Sequence, residues 1–478
     1  MKKIGMAITV CAVMAVSCNN FLDLAPEYEV NDQNFYRDKN DFEALIMGCY
    51  SGLQTLHNNA FLYLTELTTD NVHITLQSPG VNELECDEMN ITSSNSYVGT
   101  FWSSSFLTIA RANNVLNRID ESDMGDADKN QYRGEAYFIR AYCYFNLVRL
   151  FGEVPLVTRD FRSPDEVQLQ EMTRQPVERI DSLITSDLLN ADVLLANASL
   201  SKGRGSSGAA KALLGKFYLT KKDYPNARTY LQDIVDSKQY KLVEDYGSLF
   251  SPTNDDLAES IFEIKYLSGN VGEGNSFAQQ EVPVLYGGMA LFPGNQLGGG
   301  RLSPTLDIVN AYEDGDERKD LSISEDIPLN DGSIYKLWYG KKFVDFNANP
   351  VTDMDNNFTV LRYADVLLML SEVLNELGES ELAASYLNEV RRRAGLDDID
   401  PMSKQAFARA LERERRIEFL FEGQRWFDLV RTGRAQEVIN DYYVTTGLNF
   451  RVEDHELRMP IPQGERDINP GLTQNEGY

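Results

Sequence analysis

The chain has 478 residues, with 73 Asp and Glu against 45 Lys and Arg, a formal net charge of −28, and only three His. A phosphate backbone is bound by concentrated Lys and Arg, so the balance argues against a nucleic-acid partner, and three His argue against a His-built metal site. Cys49, Cys86 and Cys143 are odd in number and widely spaced, which gives no disulfide framework; Cys49 and Cys143 fall in apolar helical patterns, where a free Cys acts as a small buried hydrophobe.

In chain order, MKKIGMAITVCAVMAVSC comes first: Lys2 and Lys3, an apolar run from Ile4 to Val16, then small residues and Cys18. A spanning helix needs about 20 apolar residues. This run has the length of a secretory h-region and meets polar Asn19 at once, so residues 1–17 read as a signal peptide. Ala15-Val16-Ser17-Cys18 resembles a lipobox, with Ala15 where Leu is usual, and makes Cys18 the lipidation site. Several acyl chains, at about 0.8 kcal/mol per buried methylene, would anchor the chain stably. No Pro/Ser/Gly-rich linker or charge block divides the remainder, so residues 18–478 read as a single domain.

Helical spacing of apolar residues is sustained over residues 40–240 and 358–440, which predicts a mainly α fold. Within the first block, Leu214, Gly215, Tyr218, Tyr224, Ala227 and Leu231 follow tetratricopeptide spacing, with small residues where two helices must approach. Ser371, Leu374, Gly378, Ala383 and Leu387 form a looser second copy more than a hundred residues on. A continuous solenoid would repeat about every 34 residues, so this helical scaffold must be interrupted. The interruption is the irregular insertion 241–357, which lacks sustained helical spacing and carries Gly, Asn, Pro and aromatic residues; a smaller irregular stretch covers 68–100. Long irregular segments with regularly spaced apolar residues are candidates for a binding face. Trp102 sits at helical spacing and reads as core.

Several motifs fail on context. Gly203, Gly205 and Gly208 spell G-x-G-x-x-G before a helix, but no strand precedes them. Asp353-Met354-Asp355-Asn356-Asn357 resembles half a calcium loop and lacks its Gly and final Glu. No cofactor is indicated; an acidic surface protein could hold a structural calcium, for which no ligands can be named. Arg391-Arg392-Arg393 reads as a solvated face. Arg413, Glu414, Arg415, Arg416 and Glu418, then Glu422, Arg425 and Asp428, place opposite charges at helical spacing, as helix-stabilising pairs rather than a catalytic cluster. No G-x-S-x-G, H-E-x-x-H or Walker A pattern occurs, so no catalytic residue is nominated.

The segments CNNFLDLAPE, WSSSFLTIARANNVLNRI, RGEAYFIRAYCYFNLVRLFGEVPLV, YEDGDERKDL, LRYADVLLMLSEVLNELG, LERERRIEFLFEGQRWFDLVRTGRA and MPIPQGERDINPGLTQNEGY occur in an order that resembles the SusD/RagB family through almost the whole mature chain. The resemblance implies a SusD-like tetratricopeptide scaffold with an irregular ligand-binding region, tethered to a Bacteroidetes-type outer membrane. It implies a partner as well, a SusC-like TonB-dependent transporter that moves the ligand while this chain binds it without chemistry. Most relatives so described take up glycans, whereas the RagB branch handles peptides, and fold analogy alone does not choose. An oligosaccharide or polysaccharide ligand is the first expectation, an oligopeptide the second and a glycan hydrolase the third.

A sugar ring presents an apolar face and a rim of hydroxyls, so its site needs aromatic faces beside polar groups. In the two irregular stretches, Trp338, Tyr339, Tyr286 and Tyr97 are the candidate stacking surfaces. Asp70, Asn71 and His73 are the candidate hydrogen-bonding groups. No binding motif is fixed across the family, so none of these positions is carried over from it.

Overall fold

The structure is a computed structural model that describes residues 36–161, 163–167, 172–254, 256–285 and 289–478. The expected signal segment and Cys18 lie outside the described residues. Among the described residues, no helix is long and apolar enough to cross a membrane.

The first helix, α1 (Lys39–Leu56), opens on Asp38, whose carboxylate accepts the amides of Asn40 and Asp41 in a capping box. Phe42, Ile46, Cys49, Leu53 and Leu56 recur every three or four positions and form its buried stripe. Then come α2 (Asn59–Thr65), β1 (Val72–His73), α3 (Val81–Asp87) and the long helices α4 (Ser96–Arg118) and α5 (Asp126–Phe151). A short antiparallel pair, β2 (Val154–Pro155) and β3 (Arg174–Gln175), precedes α6 (Val177–Leu195), α7 (Ser207–Thr220) and α8 (Tyr224–Ser237). Helix α1 packs on α4, and from α4 to α8 each helix packs on the next. Gly52 of α1 permits the first of these contacts, since a Cβ there would meet Thr108 Oγ1 of α4 at 2.2 Å.

The insertion is built from short pieces: β4 (Ser260–Ile264), β5 (Ser303–Pro304), α9 (Leu306–Ala311), α10 (Glu317–Ser322) and the hairpin β6 (Ile323–Pro328) with β7 (Ile334–Gly340). At the hairpin tip Gly332, which follows Asp331, has φ +85° and supplies the left-handed backbone that a tight turn demands. The chain then leaves through β8 (Phe358–Arg362), which pairs antiparallel with β4, and every residue of both strands is buried. Residues 358–362 were expected to be helical; two-sided burial of a short apolar run produces a strand instead. Helices α11 (Tyr363–Leu377), α12 (Ser380–Arg393), α13 (Lys404–Glu418), α14 (Arg425–Thr432), α15 (Ala435–Thr446) and α16 (Gln463–Ile468) complete the chain.

Both tetratricopeptide-like copies are present as helix pairs. In α7–α8, a Cβ on Gly215 would meet the Leu231 side chain at 2.5 Å, and Tyr218 stacks on Tyr230 with centroids 5.8 Å apart. In α11–α12, Ser371 Oγ donates to the Ala383 carbonyl at 2.7 Å, and Gly378 ends α11 at φ +85°. Helix α8 packs directly on α11, so the scaffold is continuous in space although the insertion separates its halves in sequence. Trp102 is buried between Phe106 and Phe151, and Cys49, Cys86 and Cys143, the cysteines among the described residues, are buried and free.

The charged residues depart from the sequence reading. Of Arg391-Arg392-Arg393 only Arg392 faces solvent; Arg391 pairs with Glu313 and Glu414, and Arg393 is buried against Glu259 and Glu418. The acids and bases of α13 likewise pair across elements more than along the helix. Arg318 Nη1 contacts Glu414 at 2.6 Å and Glu418 at 2.8 Å, Arg362 contacts Glu259, Glu418 and Glu422, and Arg415 bridges Asp365 and Asp428. Burial opposes the charge on Glu418, but Arg393, Arg362 and Arg318 around it outweigh that and hold its carboxyl well below the usual range. These pairs clamp the insertion onto α13, and each buried charge depends on its partners to offset lost hydration.

Candidate functional site

Pairing of β1 with β5 brings the two irregular stretches together: Val72 lies opposite Pro304 and His73 opposite Ser303. The Thr75 and Leu76 amides donate to the Gly300 carbonyl at 2.9 and 3.1 Å, and Thr75 Oγ1 meets Ser303 Oγ at 2.8 Å. The run Gly298-Gly299-Gly300 makes this approach sterically available. A Cβ on Gly298 would lie 2.0 Å from the Val282 carbonyl, and Gly300 has φ +63°. Next to it, Arg301 donates to Glu83 Oε1 at 3.0 Å and to Gln280 Oε1 at 3.1 Å, so α3 is tied to the insertion. Strand β5 also packs against β7, and the Ala290 amide donates to the Pro328 carbonyl at 2.8 Å. The face therefore carries residues of the 68–100 stretch, the glycine run and the hairpin.

Asp70 and Asn71 are consumed by the fold. Asp70 is buried, receives Arg425 Nε and Nη2 at 2.9 Å each, and pairs with Arg416. Burial pushes its carboxyl up, but the two guanidinium groups prevail and bring it down to about 2. Asn71 Nδ2 donates to Glu66 at 2.9 Å while its Oδ1 accepts from Arg416 Nε at 2.8 Å. Both residues lock the segment after α2 onto α13 and α14, beneath the surface.

The other candidates separate by depth. Tyr339 is buried, with its hydroxyl 3.3 Å from the Asp326 carbonyl and its ring at the edge of Phe346, so it anchors the hairpin. Trp338, the next residue on the opposite face of the strand, is half-buried, with Lys319 Nζ 5.6 Å from its ring centroid. His73 is half-buried, and burial lowers its pKa, so the ring is neutral at pH 7 and offers one donor and one acceptor. Tyr97 is half-buried edge-on to Tyr63 and donates to Glu83 at 3.0 Å. Tyr286 lies outside the described residues.

Sequence reasoning missed Tyr335. It is 47% exposed near the hairpin tip, and it and Phe450 are the two exposed aromatic side chains among the described residues. Its signal was its position in IYKLWYG, three residues after the Asp-Gly turn, where a strand has left the core.

The tempting motifs are explained by packing. The Gly205 amide is already engaged, donating to Tyr50 Oη at 2.8 Å, and a Cβ on Gly205 or Gly208 would strike Phe138 or Tyr240. Asp353 accepts the amides of Gly269 and Asn270 at 2.8 and 2.7 Å, and Asp355 accepts Ser268 Oγ at 2.8 Å, so this acidic run pins a loop. Among the described residues, no group of three or more His, Cys, Asp or Glu is arranged to hold a metal ion.

Comparison with known proteins gives two family matches: residues 324–478 match the SusD family, and residues 20–219 match a SusD-like family described as starch-binding and associating with the outer membrane. The chain is similar to SusD-like protein P2 of Formosa agariphila, 26% identical over the whole of both chains. Among solved structures it resembles a SusD superfamily protein from Parabacteroides distasonis, 27% identical with a TM-score of 0.79 over 92% of this chain and 99% of that one. It equally resembles a laminarin-binding SusD-like protein, 26% identical with a TM-score of 0.79 over 93% of this chain and all of the other. The two matched segments take in both halves of the scaffold and the hairpin, and the chain belongs to the SusD family.

Proposed function

We propose that this chain is a non-catalytic glycan-binding protein of the outer membrane, anchored through acyl chains on Cys18, that delivers oligosaccharides to a SusC-like TonB-dependent transporter. The observation that carries the reading is the likeness, over nearly the whole chain, to a laminarin-binding protein, joined by the starch-binding, outer-membrane description of the family matched at residues 20–219. The geometry suits the task. Tyr335 and Trp338 offer apolar rings to sugar C–H faces, and His73 and the Tyr97 hydroxyl offer hydrogen-bonding groups on the neighbouring stretch. Asp70, Asn71 and Tyr339 support this face from below.

Affinity electrophoresis of the mature chain through gels containing laminarin, starch or other neutral polysaccharides tests the proposal, with retardation by at least one of them expected. Affinity for mixed oligopeptides with no retardation by any polysaccharide would replace glycan by peptide. Release of reducing ends from the same polysaccharides would overturn the non-catalytic role.

A further inference from the structure

A second feature lies away from the hairpin and shares no lining residue with it. A cleft of about 1150 Å³ opens between the end of α5, the start of α6, the end of α7, α14 and the C-terminal segment 453–476. Its volume lies just above the range typical of small-ligand sites, about 300–1,000 Å³. Phe145, Val148, Phe427 and Val430 give it an apolar floor, and Arg149 is the charged group set into that floor.

Arg149 is unlike the other interior arginines. Arg140, Arg318, Arg362, Arg393, Arg415 and Arg425 each meet one or more carboxylates. Among the described residues Arg149 makes no ion pair: its guanidinium carbon lies 3.5 Å from the ring centroid of Phe427 and 4.1 Å from that of Phe145. One nitrogen, Nη2, donates to Asn146 Oδ1, while Nε is buried without any partner. Burial lowers its pKa to about 9, so the group is charged at neutral pH. A half-buried cation with an unpartnered donor is destabilising unless an anion meets it, and the Phe427 and Phe145 rings beside it hold it in place. A planar fork of this kind matches a carboxylate.

The rim sets the rest of the ligand. Glu453, Asp454 and Glu476 line the cleft together with Lys221, Arg431 and Arg458; Lys221 is paired with Asp181 and Arg431 with Glu372 and Asp428, and the three acids of the lining give hydroxyl groups acceptors. We propose that this cleft is a second saccharide site, selective for a sugar bearing a carboxylate such as a terminal uronate, with Arg149 receiving the acid and the carboxylates of the lining receiving hydroxyls. The proposal stands whether or not the hairpin face binds neutral glycans.

The test is calorimetry of the mature chain with an aldobiuronic acid, a disaccharide ending in one glucuronic acid, and with its methyl ester as the neutral control. Binding of the acid, at least tenfold weaker binding of the ester, and at least tenfold weakening by Arg149→Gln are expected. Because Arg149 is packed between rings, Thr220→Trp, which fills the cleft from its half-buried wall, serves as a second variant and should abolish binding with an unchanged melting temperature. Equal affinity for acid and ester, no heat with the acid at millimolar concentration, or binding that survives Thr220→Trp would each overturn the assignment. A Tyr335→Ala variant separates the two sites: loss of neutral-glycan binding there with retained uronate binding would show them to be independent, and parallel loss of both would contradict a second site.

Discussion

Arg362 and Glu259 meet at 2.9 Å at the neck of the insertion: Arg362 is the last residue of β8, and Glu259 immediately precedes β4. The pair joins the chain's entry into the irregular region to its exit, and Glu418 and Glu422 fasten the same guanidinium to the helical scaffold. The binding face thus depends on a buried charge cluster that lies outside it.

Arg362→Ala should destabilise the protein by about 3–5 kcal/mol, the usual consequence of leaving buried carboxylates without their cation. Chemical denaturation measures it. A change below about 1 kcal/mol would mean that Arg393 and Lys342 suffice to hold Glu259, Glu418 and Glu422.

Gly298→Ala should cost about 1–3 kcal/mol through overpacking, because the new methyl would be forced onto the Val282 backbone. The loss should appear in ligand affinity as well as in melting temperature, since Gly298 lies two residues before Gly300, whose carbonyl joins the two stretches. Unchanged affinity in a less stable variant would separate the glycine run from the binding face.

Glu66 and Glu281 predict a pH dependence. Burial raises their carboxyls to about 7 and about 8, against partial relief from Asn71 and the Phe421 amide in one case and from Lys342 in the other. A folded pKa above the unfolded value means that their favourable contribution is intact below about pH 4.5 and is lost as pH rises through 7–8. Asp70, brought down to about 2, acts in the opposite sense: its contribution is present above about pH 4 and lost as pH falls through 2. Glu281→Gln removes the alkaline loss without removing an acceptor. Urea unfolding should show the variant gaining on the parent by about 4 kcal/mol between pH 5 and pH 8.5. An equal difference at both pH values would exclude Glu281 as the titrating group.

What the sequence revealed, and what it hid, follows the range of each interaction. Apolar spacing along single helices exposed the scaffold, the Gly215–Leu231 and Ser371–Ala383 contacts, buried Trp102 and the free cysteines, because residues three or four apart share a face. Partners far apart left no such trace. Asp70 meets Arg416 and Arg425 about 350 residues later, so a polar residue in an irregular stretch resembled a ligand contact when it was a structural pin. Arg391 and Arg393 resembled a solvated run for the same reason: their acids sit on other elements. On β7, pattern identified Trp338 but not the greater exposure of Tyr335, since alternation assigns faces and not distance from the core.

The central claim is that the hairpin face captures glycan. Its most direct test is calorimetric titration of the mature chain, Tyr335→Ala and Trp338→Ala with the neutral oligosaccharide derived from whichever polysaccharide retards the parent. Each variant should keep its melting temperature and bind at least tenfold more weakly, a loss of about 1.4 kcal/mol or more; two folded variants with parental affinity would contradict the claim.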